Sequence, residues 1–321
     1  MQHTLSQNPF FKKLEKAQNI LIAGAGGGFD IYSGLPLYFN LKAQGKKVHL
    51  ANFAFTQLTQ TTAQEVCEDC YQVLPNSQDL SGMGYFPEKI LVEWFLTQDE
   101  PTSVFAFEKT GVKKLRAAYN FLIKELKLDA IVLVDGGTDS LMFGDEQGLG
   151  TPIEDSTSLA AVFQSSVETK LLSCLGFGVD HFHGVSHYHF LENVAKLSKE
   201  GGYLGCFHLL PFMLEAQKYK SAVDYANMRM PDFKSIVANS VVSALEGEYG
   251  NYHRTHRTEG SELWINPLMT IYWNFTVESV VNNLLYYRKI AQTERFVETA
   301  HEIFEFKKNR EKVREYKQLP I

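Results

Sequence analysis

Residues 19–30 read Asn19-Ile-Leu-Ile-Ala-Gly-Ala-Gly-Gly-Gly-Phe-Asp30. A short apolar run that closes on glycines is typical of a buried strand that ends in a tight turn. Residues 35–43, which follow, are largely apolar and compatible with a helix. Because a strand, a glycine turn and a helix begin a doubly wound α/β unit, this stretch predicts an α/β protein.

The rest of the chain extends this pattern. Residues 47–53 and 130–134 predict further strands, and the second is apolar throughout, as in a buried parallel sheet. Residues 112–126 carry apolar side chains on one stripe, which predicts an amphipathic helix. We therefore expect a Rossmann-like, doubly wound and mostly parallel sheet with helices on both faces. Residues 1–250 would form this domain, and residues 251–321 a mostly helical C-terminal extension packed on it.

Composition narrows the kind of partner. The chain has 321 residues and a formal net charge of −6, and its basic residues are dispersed through most of the sequence, which argues against a nucleic-acid surface. The first nine residues contain no basic segment followed by an apolar core, and no apolar run is long enough to span a membrane. We therefore expect a cytoplasmic protein that binds a small molecule, without nucleic acid or membrane. The sequence leaves a homo-oligomer open.

The glycine turn is the first candidate for a ligand site. Its glycines are Gly24, Gly26, Gly27 and Gly28. Glycine lets a ligand approach the main chain because no Cβ intervenes, and backbone N–H groups at such a turn attract anions such as phosphate. The spacing meets the dinucleotide fingerprint G-x-G-x-x-G only loosely, and a glycine turn without a ligand is the alternative.

A long polar connection follows the strand at residues 130–134. It contains six carboxylates, Asp135, Asp139, Asp145, Glu146, Glu154 and Asp155, and the small residues Gly136, Gly137 and Thr138. Carboxylates gathered in one site raise one another's pKa and so suit general acid–base catalysis. We expect Asp139 to carry the chemistry, with Asp135 and Asp145 as further catalytic candidates. Glu154, Asp155 and the three small residues are expected to bind the ligand. The same carboxylates could instead hold a hard cation such as magnesium, or serve only as turn residues.

The next predicted strand is followed by four histidines, His181, His183, His187 and His189. Three imidazoles and an aspartate could form a zinc site, so a metal-dependent hydrolase that uses His181, His183 and the carboxylates is one alternative. Since the spacing matches no established zinc signature, we expect no metal centre, and we assign His183 to phosphate binding or proton transfer. Further along, a basic stretch that includes Arg257 either reaches an anionic ligand or forms an exposed loop.

These polar segments each follow a predicted parallel strand. In a doubly wound sheet the carboxyl ends of the strands lie along one edge, where ligands bind. We therefore expect Asp30, Asp135 and His183 to surround one pocket, although they are far apart in the sequence.

Several motifs together resemble a family known as domain of unknown function 1152. They are the glycine turn with Asp30, Ser33-Gly-Leu-Pro36, Asp135-Gly-Gly-Thr-Asp-Ser140, Gly144-Asp-Glu146, Gly148-Leu-Gly-Thr-Pro-Ile-Glu-Asp155 and Asn266-Pro-Leu-Met-Thr-Ile-Tyr-Trp273. The resemblance covers most of the chain and implies a Rossmann-like fold, but it implies no activity.

A second, local resemblance concerns the sirtuins. Gly24-Ala-Gly26 followed by Ser33-Gly-Leu-Pro36 is similar to the start of the sirtuin NAD site, a Gly-Ala-Gly turn followed by Ser-Gly-Ile-Pro. The interval is longer here, glycines replace the polar residue after the turn, and the sirtuin zinc-binding cysteines are absent. The resemblance implies an adenine dinucleotide or a similar ligand, and we place Asp30 and Ser33 in the same ligand site.

The sequence thus predicts an enzyme that binds a phosphate-bearing small molecule, with a nucleotide or NAD-like compound as the expected ligand. Hydrolysis or group transfer fits the carboxylates better than redox chemistry, because a hydride transfer needs no such cluster. A non-catalytic ligand sensor or assembly subunit is the remaining alternative.

Overall fold

The computed structural model describes residue 4 and residues 6–320. Residues 1–3, 5 and 321 lie outside this range, and with them part of the segment on which the expectation of no signal peptide rests.

The described residues contain a large central sheet and one short two-stranded sheet. The strands are β1 (Asn19–Gly24), β2 (Lys47–Phe53), β3 (Gln64–Cys67), β4 (Cys70–Val73), β5 (Val104–Phe107), β6 (Ala130–Gly136), β7 (Thr169–Leu175), β8 (Tyr203–His208), β9 (Gly250–Asn251), β10 (Trp264–Ile265) and β11 (Ile271–Thr276). The central sheet has the order β3-β4-β5-β2-β1-β6-β7-β11-β8, and β9 pairs with β10. The five middle strands, from β5 to β7, are parallel, whereas β4 and β11 run antiparallel to their neighbours.

Helices cover both faces of the sheet. They are α1 (Pro9–Leu14), α2 (Asp30–Ser33), α3 (Leu35–Ala43), α4 (Pro87–Thr97), α5 (Val112–Leu126), α6 (Pro152–Phe163), α7 (His187–Lys199), α8 (Leu214–Arg229), α9 (Ile236–Leu245), α10 (Val277–Asn283), α11 (Tyr287–Ile290) and α12 (Phe296–Asn309). None of them, within the described part of the chain, combines the length and the apolar character needed to cross a bilayer.

Residues 20–23 of strand β1 are all apolar because both faces of the strand are covered. Ile20 and Ile22 point into one core, which they share with α3, α4, α8 and α9. Leu21 and Ala23 point into the other core, which they share with α5, α6, α7 and α12. Because successive side chains of a strand alternate between faces, a strand covered on both sides is predominantly apolar on both of them.

The predicted fold class is confirmed. The structure is an α/β protein with a mostly parallel sheet between two helical layers, which is compatible with a Rossmann-like fold. The strand at residues 47–53 and the helix at residues 112–126 have the predicted bounds, and the strand predicted at residues 130–134 continues to Gly136.

A strand that the sequence analysis did not assign lies in the C-terminal part of the chain. Strand β11 is inserted between β7 and β8, so residues beyond 250 contribute to the same sheet as the residues before them. Its polar residue Asn274 is satisfied inside the sheet, because it accepts a hydrogen bond from Ser173 Oγ at 2.7 Å and donates one to Gly205 O at 3.0 Å.

The order of the strands creates a crevice at the middle of the sheet. From β1 the chain moves to β2 on one side, and it later crosses through α5 to β6 on the other side of β1. The connections after β1 and β6 therefore leave the sheet on opposite faces, and ligands of such folds bind at this point.

Candidate functional site

A cleft of about 760 Å³ opens at the carboxyl ends of β1, β6 and β7. Its walls are the glycine turn after β1, the connection after β6, the first turn of α6 and the 3-10 turn Val179–His183 after β7. As expected, Asp30, Asp135 and His183 line this one cleft.

Most of the residues predicted for the site line the cleft. They are Gly26, Gly27, Gly28, Asp30, Ser33, Asp135, Gly136, Asp139, Glu154, Asp155 and His183. Four others, Gly24, Gly137, Thr138 and Asp145, are not among the lining residues.

Three of these four residues support the walls from behind. A Cβ at Gly24 would lie 2.0 Å from Asn52 Oδ1, and one at Gly137 would lie 2.7 Å from Asp180 Oδ2. Both positions need glycine because neighbouring side chains fill the space. The backbone N–H of Thr138 donates to Asp180 Oδ2 at 2.6 Å, which joins the loops after β6 and β7.

Asp145 lies apart from the cleft. Its carboxylate accepts hydrogen bonds from Arg314, with the Nη2 atom at 2.7 Å, and the neighbouring Glu146 is fully buried against the same guanidinium. The polar connection after β6 thus divides into two groups. Asp135, Asp139 and Asp155 line the cleft. Asp145 and Glu146 instead bind Arg314 and so attach the C-terminal segment, residues 310–320, which follows α12.

Three backbone N–H groups of the glycine turn already donate hydrogen bonds within the protein. The N–H of Ala25 donates to Val134 O at 2.8 Å, that of Gly26 to Asp30 Oδ2 at 2.6 Å and that of Gly28 to Phe53 O at 3.1 Å. The N–H groups of Gly27 and Phe29 have no acceptor within the described residues, and both residues line the cleft. These two are therefore the amides that remain for an anion.

Asp135 and Asp139 are each held through one oxygen. Ser140 donates to Asp135 Oδ2 through its hydroxyl and, at 3.3 Å, through its backbone N–H. Thr151, just before α6, donates to Asp139 Oδ2 through its N–H at 2.8 Å and its hydroxyl at 3.0 Å. Fixed on one side, both carboxyl groups keep a second oxygen for other contacts.

Burial and mutual repulsion act on the carboxyl groups of the cleft together. Burial raises the pKa of Asp135, Asp155 and Asp180 well above their usual range, and the nearby charge of Asp139 adds to the shift. Burial also raises the pKa of Asp139, but the hydrogen bonds from Thr151 oppose it. These groups therefore resist simultaneous ionisation.

Three carboxylates of the cleft lie especially close to one another. Asp30, Asp135 and Asp155 each bring an oxygen within 4.8 Å of the other two. Asp155 is only 2% exposed, and its Oδ1 atom has no hydrogen-bond partner among the described residues. A Cβ at Gly26 would lie 2.8 Å from Asp30 Oδ2 and 2.9 Å from Asp155 Oδ1, so this glycine makes room for the carboxylates.

Positively charged side chains and aromatic rings also line the cleft. Lys109 Nζ lies 4.3 Å from the centre of the exposed Phe55 ring and 3.8 Å from Glu154 Oε1. Arg257 lines the cleft as well, so the basic stretch reaches the site. Tyr85 and Phe233 stack edge to face with their centroids 5.3 Å apart at the same cleft.

Only one of the four histidines lines the cleft. His183 does so, while His181 contacts the Tyr316 hydroxyl at 3.2 Å and His187 packs against Phe177. His189 is buried in α7. Among the described residues, the cluster of three close ligand atoms contains aspartates and no histidine.

The sequence profile of a family described as a protein of unknown function (DUF1152) matches residues 21–317. The chain belongs to this family. The match includes every residue that lines the cleft and also β11. No curated protein and no solved structure matches the chain.

Some cleft residues of this DUF1152 chain were missed by sequence reasoning. Lys109 follows β5 and Phe55 follows β2, both at the carboxyl ends of strands. Examining the residues after every strand would have found them. Tyr85 and Phe233 lie in connections remote from any strand end and carried no such signal.

Proposed function

We propose that this chain is an enzyme that hydrolyses, or transfers a group of, a phosphate-bearing small molecule, with a nucleotide or NAD-like compound as the ligand. The observation that carries the proposal is that the glycine turn and carboxylates from three separate loops line one cleft. That cleft lies where the connections of a doubly wound sheet diverge, which is the usual place for nucleotides. The proposal includes a cytoplasmic location and no nucleic-acid or membrane partner.

The side chains and backbone that line the cleft suit both the base and the phosphate groups of such a ligand. Phe55, Tyr85 and Phe233 provide flat apolar surfaces against which a base can stack. Lys109 and Arg257 provide positive charge, and the N–H groups of Gly27 and Phe29 can donate to phosphate oxygens.

Asp139 is the residue that we propose as general base. Its buried carboxyl group has a raised pKa and is oriented by Thr151, as a proton acceptor near neutral pH requires. In this role it accepts the proton of an attacking water or hydroxyl group, whose oxygen bonds to the reacting atom of the ligand while the bond from that atom to the leaving group breaks. The leaving group departs as an anion or takes up a proton from water. A non-catalytic sensor would bind the same ligand without turnover.

Thermal unfolding in the presence of nucleotides tests ligand binding. A nucleotide at about a hundred times its Kd is expected to raise the Tm by roughly 4 °C. Lys109→Ala should reduce this shift, whereas Lys113→Ala, which removes an exposed lysine paired with Glu294, should not. The proposal is wrong if no nucleotide or dinucleotide shifts the Tm, or if both variants respond alike.

A further inference from the structure

We propose that Asp30, Asp135 and Asp155 form a binding site for a hard divalent cation, Mg²⁺ in the first place. Cation binding at these residues does not depend on the proposed function. Only the statement that the cation carries the phosphate of the ligand rests on that proposal.

The geometry fits such an ion. Oxygen ligands that surround Mg²⁺ or Ca²⁺ at 2.0–2.6 Å lie about 3 to 5 Å from one another, and the three aspartates bring one oxygen each within 4.8 Å. They come from separate elements: Asp30 begins α2, Asp135 is the penultimate residue of β6 and Asp155 lies in the first turn of α6. Fixed elements therefore hold the oxygens, and the rest of the coordination shell is open to the cleft.

Asp155 supplies the observation that acidic clustering alone does not. Its carboxylate is 2% exposed, lies against Gly26 at the floor of the cleft and leaves Oδ1 without a hydrogen-bond partner among the described residues. A buried carboxylate oxygen without a partner has lost its water and has no contact that offsets this loss. A cation in contact with Oδ1 satisfies this oxygen and offsets the repulsion between the three aspartates.

The balance of charged side chains in the cleft also favours a bound cation. Six carboxylates line it, namely Asp30, Asp135, Asp139, Glu154, Asp155 and Asp180, against Lys109, Arg257 and His183. The carboxylates outnumber the basic side chains, so a cation between them and a phosphate would offset the excess of negative charge. Mg²⁺ held by a few carboxylates, waters and phosphate oxygens is the usual arrangement. The ligand class is therefore the magnesium complex of the phosphate compound.

Binding of Mn²⁺ to the full chain tests the site without any nucleotide. We expect electron paramagnetic resonance of free Mn²⁺ to show one bound ion per chain, displaced by Mg²⁺. Asp155→Asn should weaken Mn²⁺ binding at least tenfold. Asp145→Asn is the matched control, because Asp145 belongs to the same polar connection but lies apart from the cleft, and it should keep the affinity within about twofold.

The melting temperature supplies a second readout for folding. Mg²⁺ should raise the Tm of the unaltered protein and of Asp145→Asn but not that of Asp155→Asn. Without metal, Asp155→Asn should melt at or above the temperature of the unaltered protein, because the amide cannot ionise beside Asp30 and Asp135. The site is wrongly assigned if the unaltered protein binds no Mn²⁺, or if Asp155→Asn and Asp145→Asn bind it equally. Failure of nucleotide binding with intact Mn²⁺ binding would instead count against the proposed function alone.

Discussion

Asp139 and Asp155 are both buried aspartates of the cleft, but their surroundings suit them to different chemical roles. Asp139 is oriented by two hydrogen bonds from Thr151, whereas Asp155 keeps an oxygen without a partner. An oriented carboxyl group with a raised pKa suits proton transfer, and an unpartnered one suits a cation. Neighbours of the same residue type can thus be told apart only by the atoms around them.

We predict that Asp139→Asn lowers turnover about a hundredfold or more once a substrate is known, with little change in ligand affinity. The amide keeps the shape, and its oxygen can still accept from Thr151, so the Tm should hardly move. Turnover of the variant on the nucleotide that shifts the Tm is the measurement. Full activity would make Asp139 a turn residue, and parallel losses of stability and activity would make its role structural.

The glycine turn is held in place by an interaction between elements. Asn52, at the end of β2, donates through Nδ2 to Gly28 O at 2.8 Å and to Glu88 Oε1, in the first turn of α4, at 2.7 Å. Glu88 is fully buried, and burial raises its pKa from the usual 4.5 to about 7. Strand β2, helix α4 and the turn therefore meet at a carboxyl group that the fold keeps protonated at mildly acidic pH.

This pKa has a consequence for stability. In the unfolded chain Glu88 ionises near pH 4.5, whereas in the folded chain it stays protonated until about pH 7. The unfolded state therefore binds fewer protons between these values, and stability falls as the pH rises through this window, by roughly 3 kcal/mol in total. Glu88→Gln, which imitates the protonated acid, should lack this loss. Urea unfolding at pH 5 and pH 7.5 would measure it, and equal pH dependence in both proteins would contradict the prediction.

Over the whole molecule, the C-terminal segment is attached at a point separate from the cleft. Arg314 Nη2 lies 2.7 Å from Asp145 Oδ1 and 2.5 Å from Glu146 Oε1, and Nη1 lies 2.5 Å from Glu192 Oε2. Glu146 is fully buried, so loss of the guanidinium would leave a buried charge with fewer partners.

We predict that Arg314→Met destabilises the protein by about 2 kcal/mol or more while Mn²⁺ binding in the cleft is unchanged. Arg295→Ala, which removes an arginine with a 71% exposed side chain from its pair with Glu298, is the control and should cost less than about 1 kcal/mol. Denaturant unfolding of the three proteins decides the matter. Similar stabilities for both variants would show that the Arg314 cluster does not anchor the segment.

Local sequence was sufficient for the centre of the fold. Apolar runs such as residues 20–23 and 130–134 indicate strands buried on both faces, and glycines mark where the first of them ends. Since parallel strands place their carboxyl ends on one edge, these local features also predicted that Asp30, Asp135 and His183 would meet at one cleft.

Tertiary structure decided what local pattern cannot express. Asp139 and Asp145 are six positions apart in one polar connection, but Thr151 holds the first at the cleft and Arg314 holds the second away from it. Strand β11 lies between β7 and β8 and pairs with both, so its place in the sheet depends on hydrogen bonds to residues far away in the sequence. The separation of roles among the carboxylates depends on partners far along the chain. Hydrogen bonds and charge repulsion act over a few ångströms in space, whatever the distance in sequence.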